Sequence, residues 1–236
     1  MGPQAGVALG LIGACVLAAV ADAGEEPTLT RARQHMVERQ LTARDITDLA
    51  VLRAMDKVPR HLFVPPGLVG QAYNDYPLPI GEGQTISQPY IVALMTQSLR
   101  LTGSEKVLEV GTGSGYQAAV LAEIVPRVFT IEILPGLAAS AAARLRSLQY
   151  GTVQVRAGDG YRGWPEEAPF DAIIVTAGAT HIPRPLVEQL REGGRLVIPV
   201  GSGGHQELLL GTKERGSLVT RPIAPVRFVP LMEPTR

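Results

Sequence analysis

The sequence predicts an α/β protein: a doubly wound, mostly parallel sheet with an antiparallel C-terminal edge. Three observations carry that expectation. From residue 106 onward, short runs rich in Val and Ile alternate with helical patterns at the spacing of βαβ units. The first of these runs ends in a glycine-rich turn, VLEVGTGSGY at 107–116, which opens a helix. The last two runs, 207–211 and 217–228, follow each other with no helix between, which suits antiparallel pairing at a sheet edge.

The elements follow in chain order. Residues 7–20 are small and apolar and precede Ala21, Asp22 and Ala23, which fits the h-region and A-x-A site of a secretory signal. No Lys or Arg precedes the run, and it is short for a membrane span. A lipoprotein-like site at Cys15, and a working start at Met36, stay open beside export. Residues 1–24 are therefore set apart as an apolar leader or signal segment, and 29–234 are expected to form a single domain. Between 29 and 55 the apolar positions recur at helical spacing with a break at 45–48, so two short helices precede the core, the second capped by Thr47 or Asp48. Segments 58–66 and 76–83 are too rich in Pro and Gly for regular elements and predict an ordered, functional loop system. A helix over 90–99 leads into strands at 106–110, 127–132, 153–157, 170–176 and 194–200. Helices at 116–123, 137–148 and near 185–190 separate them.

Composition excludes several classes. At 236 residues and 45% hydrophobic content the chain can bury one substantial core. Acidic and basic residues balance at 22 each, so no electrostatic footprint for nucleic acid is present, and a protein or peptide partner is easier to accommodate. Cys15 is the sole cysteine, so the body holds neither an internal disulfide nor a thiolate metal site, and no metal is expected. Without a heptad pattern the chain is expected to be a monomer with no stable membrane partner.

Gly111, Gly113 and Gly115 remove Cβ where the backbone turns sharply beside a ligand. Dinucleotide enzymes space their glycines as G-x-G-x-x-G. Here Glu109 is followed by three glycines at alternate positions, which resembles the first motif of S-adenosylmethionine (SAM) dependent methyltransferases and implies a Rossmann-like sheet of that type. Glu132 ends the second core strand about 20 residues beyond the turn, where an acid accepts ribose hydroxyls. Asp159, before Gly160, is placed to accept from an adenine amino group, though an ordinary Asp-Gly turn reads equally well.

More of the chain carries a narrower resemblance. MVERQL (36–41), VPRHLFVP (58–65), QTISQP (84–89), GDGYRGW (158–164), FDAIIVTA (170–177), GGRLVIPVG (193–201) and PVRFVP (225–230) resemble, in order, the protein-L-isoaspartate O-methyltransferase family. That resemblance implies methyl transfer from SAM to the free carboxylate of L-isoaspartyl residues in damaged proteins and peptides, initiating repair. It implies Ser87 as the active-site serine, with Thr85, Ile86 and Gln88 beside it, and Val226, Arg227 and Phe228 lining the substrate. Strand alternation would put Arg227 on the face opposite Val226 and Phe228. The chain departs from the family pattern at 178–183, where a Pro-rich loop is more typical. A carboxylate acceptor is ionised at neutral pH, so alignment rather than base catalysis is the task, and the absence of a Ser-His-Asp pattern agrees. Because the cofactor is made in the cytosol, the chain is expected in the cytoplasm, with the periplasm as the alternative by way of the apolar leader. A non-catalytic SAM-binding paralogue and a NAD-dependent oxidoreductase are the alternative functions.

Overall fold

The computed structural model describes Gly2, residues 26–202 and residues 204–233. Apart from Gly2, the expected leader at 1–24 lies outside the described residues. Helix α1 (Pro27–Met36) widens into a π-helical turn at Val37–Thr42, and α2 (Leu49–Lys57) follows. Asp48 caps α2, accepting from the N–H groups of Ala50 at 2.8 Å and Val51 at 3.3 Å.

The Pro-rich stretch then differs from expectation. It holds two 3₁₀ turns, Arg60–Phe63 and Pro66–Gln71, and a hairpin of β1 (Leu78–Gly81) with β2 (Gln84–Ile86), where no regular element was expected. Glu82 (φ 49°) and Gly83 (φ 71°) both sit in the left-handed region, the geometry of a tight hairpin turn. Helix α3 (Pro89–Ser98) closes this N-terminal layer.

The core alternates as the pattern predicts: β3 (Lys106–Val110), α4 (Tyr116–Ala122), β4 (Arg127–Glu132), α5 (Pro135–Ser147), β5 (Gln154–Ala157), β6 (Phe170–Val175) and α6 (Arg184–Gln189). Then come β7 (Leu190–Ser202), β8 (His205–Glu214) and β9 (Ser217–Val226). The sheet order is β5-β4-β3-β6-β7-β8-β9, parallel from β5 to β7 and antiparallel beyond. The chain moves outward from β3 to β5 and returns to β6 on the other side of β3. That reversal opens a crevice at the carboxyl ends of β3 and β6, where open α/β sheets bind ligands.

Successive residues of β3 fall in different apolar clusters, Val107 with the N-terminal helices and Leu108 with Phe129, Phe170 and Ile173. Both sheet faces are thus covered, which is why the strands read as nearly continuous apolar runs. Glu109 and Thr130, cross-strand partners that are both fully buried, interrupt those runs.

Candidate active site

The crevice at the switch of strand order is a cleft bounded by the glycine turn, the end of β4, the β1–β2 hairpin and the tail after β9. Gly111 leaves β3 at φ 102°, and a Cβ there would stand 2.5 Å from Thr176 Oγ1 at the end of β6. The Thr176 hydroxyl donates to the Gly111 carbonyl at 2.6 Å, locking the two strand ends together. A Cβ on Gly113 would meet Ile80 at 3.2 Å, so the hairpin lies directly over the turn. Gly115 does not line the cleft; it caps α4 with its back against Leu145. Its role is helix packing.

Two carboxylates enter this cleft from adjacent strands. Glu132 Oε2 accepts the Gly113 N–H at 2.8 Å, and its Oε1 accepts the Leu134 N–H at 3.1 Å. Glu109 is 0% exposed, and neither oxygen has a partner in hydrogen-bonding geometry. Burial pushes its carboxyl up to about 8; the Thr130 hydroxyl works against that rise and the Glu132 charge adds to it. A buried carboxylate without a donor is costly unless a ligand supplies one. The cleft therefore fits a ligand bearing positive charge and N–H or O–H donors. It fits a dinucleotide poorly, because the turn amide that would face a pyrophosphate is already taken by Glu132, whose charge repels phosphate. SAM, with an ammonium, a sulfonium and ribose hydroxyls, matches this donor set.

Gly160 lines the cleft, and a Cβ there would strike Val110 at 2.5 Å. Asp159 does not line it. Its Oδ1 accepts the Tyr161 N–H at 2.9 Å, capping a 3₁₀ turn, beside a depression that shares Ile131 with the cleft. Trp164 packs edge-on against Phe129 at 5.4 Å, away from the ligand space.

A second cleft opens on the other side of the hairpin, between Pro77, Gln88, Ile91 and the segment from Pro225 to Val229. Thr85, Ser87, Thr176 and Val229 line both clefts and form the window between them. Ile86, expected with the substrate group, is buried and lines the first cleft instead. Because β9 ends at Val226, the alternation argument lapses: Val226, Arg227 and Phe228 all border the second cleft. Arg227 is the charged residue among those lining it. Sequence reasoning missed Thr176 and the tail from Val229 to Met232. Thr176 was findable, since the switch-point rule sets the end of β6 beside that of β3. The tail gives no such signal, because nothing local says that it folds back across two clefts.

Comparison with known proteins bears on these features. Residues 31–236 match the family model described as protein-L-isoaspartate(D-aspartate) O-methyltransferase. The chain is 57% identical over 223 residues to a protein-L-isoaspartate O-methyltransferase of Opitutus terrae, covering 94% of this chain and 96% of that one. It is 59% identical over 202 residues to protein-L-isoaspartate O-methyltransferase 1 of Syntrophobacter fumaroxidans, covering 86% and 94%. A solved protein-L-isoaspartate O-methyltransferase superposes with a TM-score of 0.77 at 29% identity over 84% of this chain, which spans 65% of that longer one. A Plasmodium falciparum structure described as a protein-L-isoaspartate O-methyltransferase in complex with S-adenosyl-L-homocysteine superposes with a TM-score of 0.74 at 28% identity, covering 85% and 98%.

Proposed function

The chain belongs to the protein-L-isoaspartate(D-aspartate) O-methyltransferase family, and from that premise we propose how its residues divide the work. The reaction is SAM-dependent methylation of the free carboxylate of L-isoaspartyl residues in damaged proteins, the opening step of their repair. The observation that carries the division of labour is the window at Ser87 and Thr176, where two clefts of opposite character meet.

Bound SAM supplies an electrophilic methyl on a sulfonium, which passes to a carboxylate oxygen as the carbon–sulfur bond breaks and its electron pair returns to sulfur. No proton moves, so the protein's task is placement and exclusion of water. Glu109 and Glu132 hold the cationic and hydroxyl-bearing parts of the cofactor, with Gly111, Gly113 and Gly160 letting the backbone approach. Ser87 donates a hydrogen bond that aims one acceptor oxygen at the window. The Thr176 proton is committed to the Gly111 carbonyl, so Thr176 shapes the window without competing for the acceptor. Arg227 is the cation that draws the acceptor's charge into the second cleft, while Thr85, Gln88, Val226 and Phe228 border the flanking peptide. Asp159 holds the turn that presents Gly160.

We place the enzyme in the cytoplasm, where its methyl donor is made, acting as a monomer. Among the described residues no helix is long and apolar enough to cross a membrane. The test of function is methyl transfer from labelled SAM to two peptides identical except for L-isoaspartate or L-aspartate at one position. Base-labile label in the isoaspartyl peptide alone is expected. Label in neither, with SAM bound, would leave a cofactor-binding protein without this acceptor.

A further inference from the structure

The tail after β9 forms the wall shared by both clefts, yet it has left the sheet. Its ties are few. The Gly178 N–H donates to the Val229 carbonyl at 2.8 Å, and the Leu231 N–H donates to the Gly178 carbonyl at 2.8 Å. The Tyr161 hydroxyl donates to the Leu231 carbonyl at 3.3 Å. These bonds hold Leu231, which lines the first cleft, and Val229, which lines both. Phe228, which lines the second cleft alone, is held differently. The Gln206 side chain accepts the Phe228 N–H at 2.7 Å and donates from Nε2 to the Phe228 carbonyl at 3.2 Å. Gln206 lines neither cleft.

The geometry is that of a missing rung. The backbone of Gln206 pairs with Val226, the last residue of β9, and its amide then reaches two residues further to grip Phe228 as a neighbouring strand would. The seat for that amide is cut to size: a Cβ on Gly178 would lie 2.1 Å from Gln206 Nε2 and 2.7 Å from its Cδ. Gly178 opens the 178–183 loop, so loop, amide and tail are one unit.

We propose that Gln206 is a positioning residue for the isoaspartyl peptide, holding Phe228 and its neighbours at the distance from Ser87 that the second cleft requires. This rests on the functional reading above. Peptide recognition thereby depends on a side chain that the peptide does not touch, and on the absence of a side chain at Gly178. The cofactor wall, tied through Gly178 backbone bonds, is independent of the Gln206 amide.

The test compares the full-length protein with Gln206→Leu, which keeps the bulk and removes both bonds, and Gln206→Glu, which keeps the acceptor and sets it against the Phe228 carbonyl. Loss of two neutral hydrogen bonds should raise KM for the isoaspartyl peptide about tenfold in Gln206→Leu. The SAM dissociation constant from calorimetry should stay within about twofold of the original. Amide hydrogen exchange should speed at Phe228 and stay slow at Leu231. Gly178→Ala, which displaces the amide, should reproduce the rise in peptide KM and the faster Phe228 exchange, and adding Gln206→Leu to it should add little further to either. An unchanged KM in a folded Gln206→Leu, or equal losses of peptide and SAM binding, would overturn the proposal. Phe228 exchange that does not respond would overturn it as well. A parent protein that methylates neither peptide would sink the functional reading instead, and the exchange readout would still decide the clamp.

Discussion

The two clefts are walled by different kinds of structure. The first is built from the ends of parallel strands in the middle of the sheet, with a buried carboxylate on each of two neighbouring strands and a glycine turn locked to β6 through Thr176. The second is built from residues at the open end of the hairpin, the start of α3 and a tail that has left its strand, with one charged side chain among its lining residues. Central strand ends cannot shift without disturbing both apolar clusters, so they suit a ligand whose shape never varies. A hairpin and a tail held by a few hydrogen bonds suit peptides whose flanks differ at every damaged site.

Substitutions can break that contrast, and the largest effect should come from the rigid side. Gly111→Val places Cβ against Thr176 Oγ1 and demands a positive φ from a β-branched residue. SAM affinity should fall by about 100-fold or more, with stability lower by about 3 kcal/mol. Calorimetry and thermal melts read both, and near-normal binding would mean the turn is not the rigid element described. Glu109→Gln comes next. Removing the charge should weaken SAM by about tenfold or more.

The same substitution should have the opposite effect on the empty protein. With its folded value raised from the ordinary 4.5 to about 8, Glu109 keeps a proton that the unfolded chain has lost between those pH values. The folded state then binds more protons, so its stability declines as pH rises from about 4.5 through about 8. Glutamine never pays for ionisation, so at pH 8 the empty variant should gain about 4 kcal/mol over its parent, shrinking towards pH 5. Melting curves across that range should converge at the acid end; parallel curves would put the ionised form in the empty protein. A cationic ligand reverses the balance, so SAM binding at pH 7 should release a proton, visible as a heat that depends on the buffer.

On the adaptable side Ser87→Ala should lower kcat about tenfold and leave the SAM dissociation constant unchanged. Unaltered turnover would remove Ser87 from the window's chemistry. The smallest effect belongs to a residue outside both clefts: Asp48→Ala strips the cap of α2 and should cost about 1 kcal/mol of stability. Its KM values should not move. A changed KM would mean that the N-terminal layer is coupled to the clefts.

The same contrast governs what the sequence discloses. The bounds of β3 and β4 follow from apolar runs because both faces are buried and nothing else suits that composition. Glu109, Glu132 and the glycines stand out because they interrupt that pattern at strand ends. The hairpin is hidden: Pro79, Gly81 and Gly83 within nine residues read as loop, and Glu-Gly is a weak turn signal beside Asn-Gly. Strand alternation continues on paper to Phe228, whereas the ladder stops at Val226. The path of the chain beyond Val226 is held by Gln206 and Gly178, contacts made over some 20 to 50 residues that no local pattern encodes.

The wall shared by the clefts also sets a timetable. Residues 227–232 are translated after every strand of the sheet, so a growing chain can assemble its core while both clefts still stand open on one side. A chain that stops before that point leaves both clefts without the wall they share.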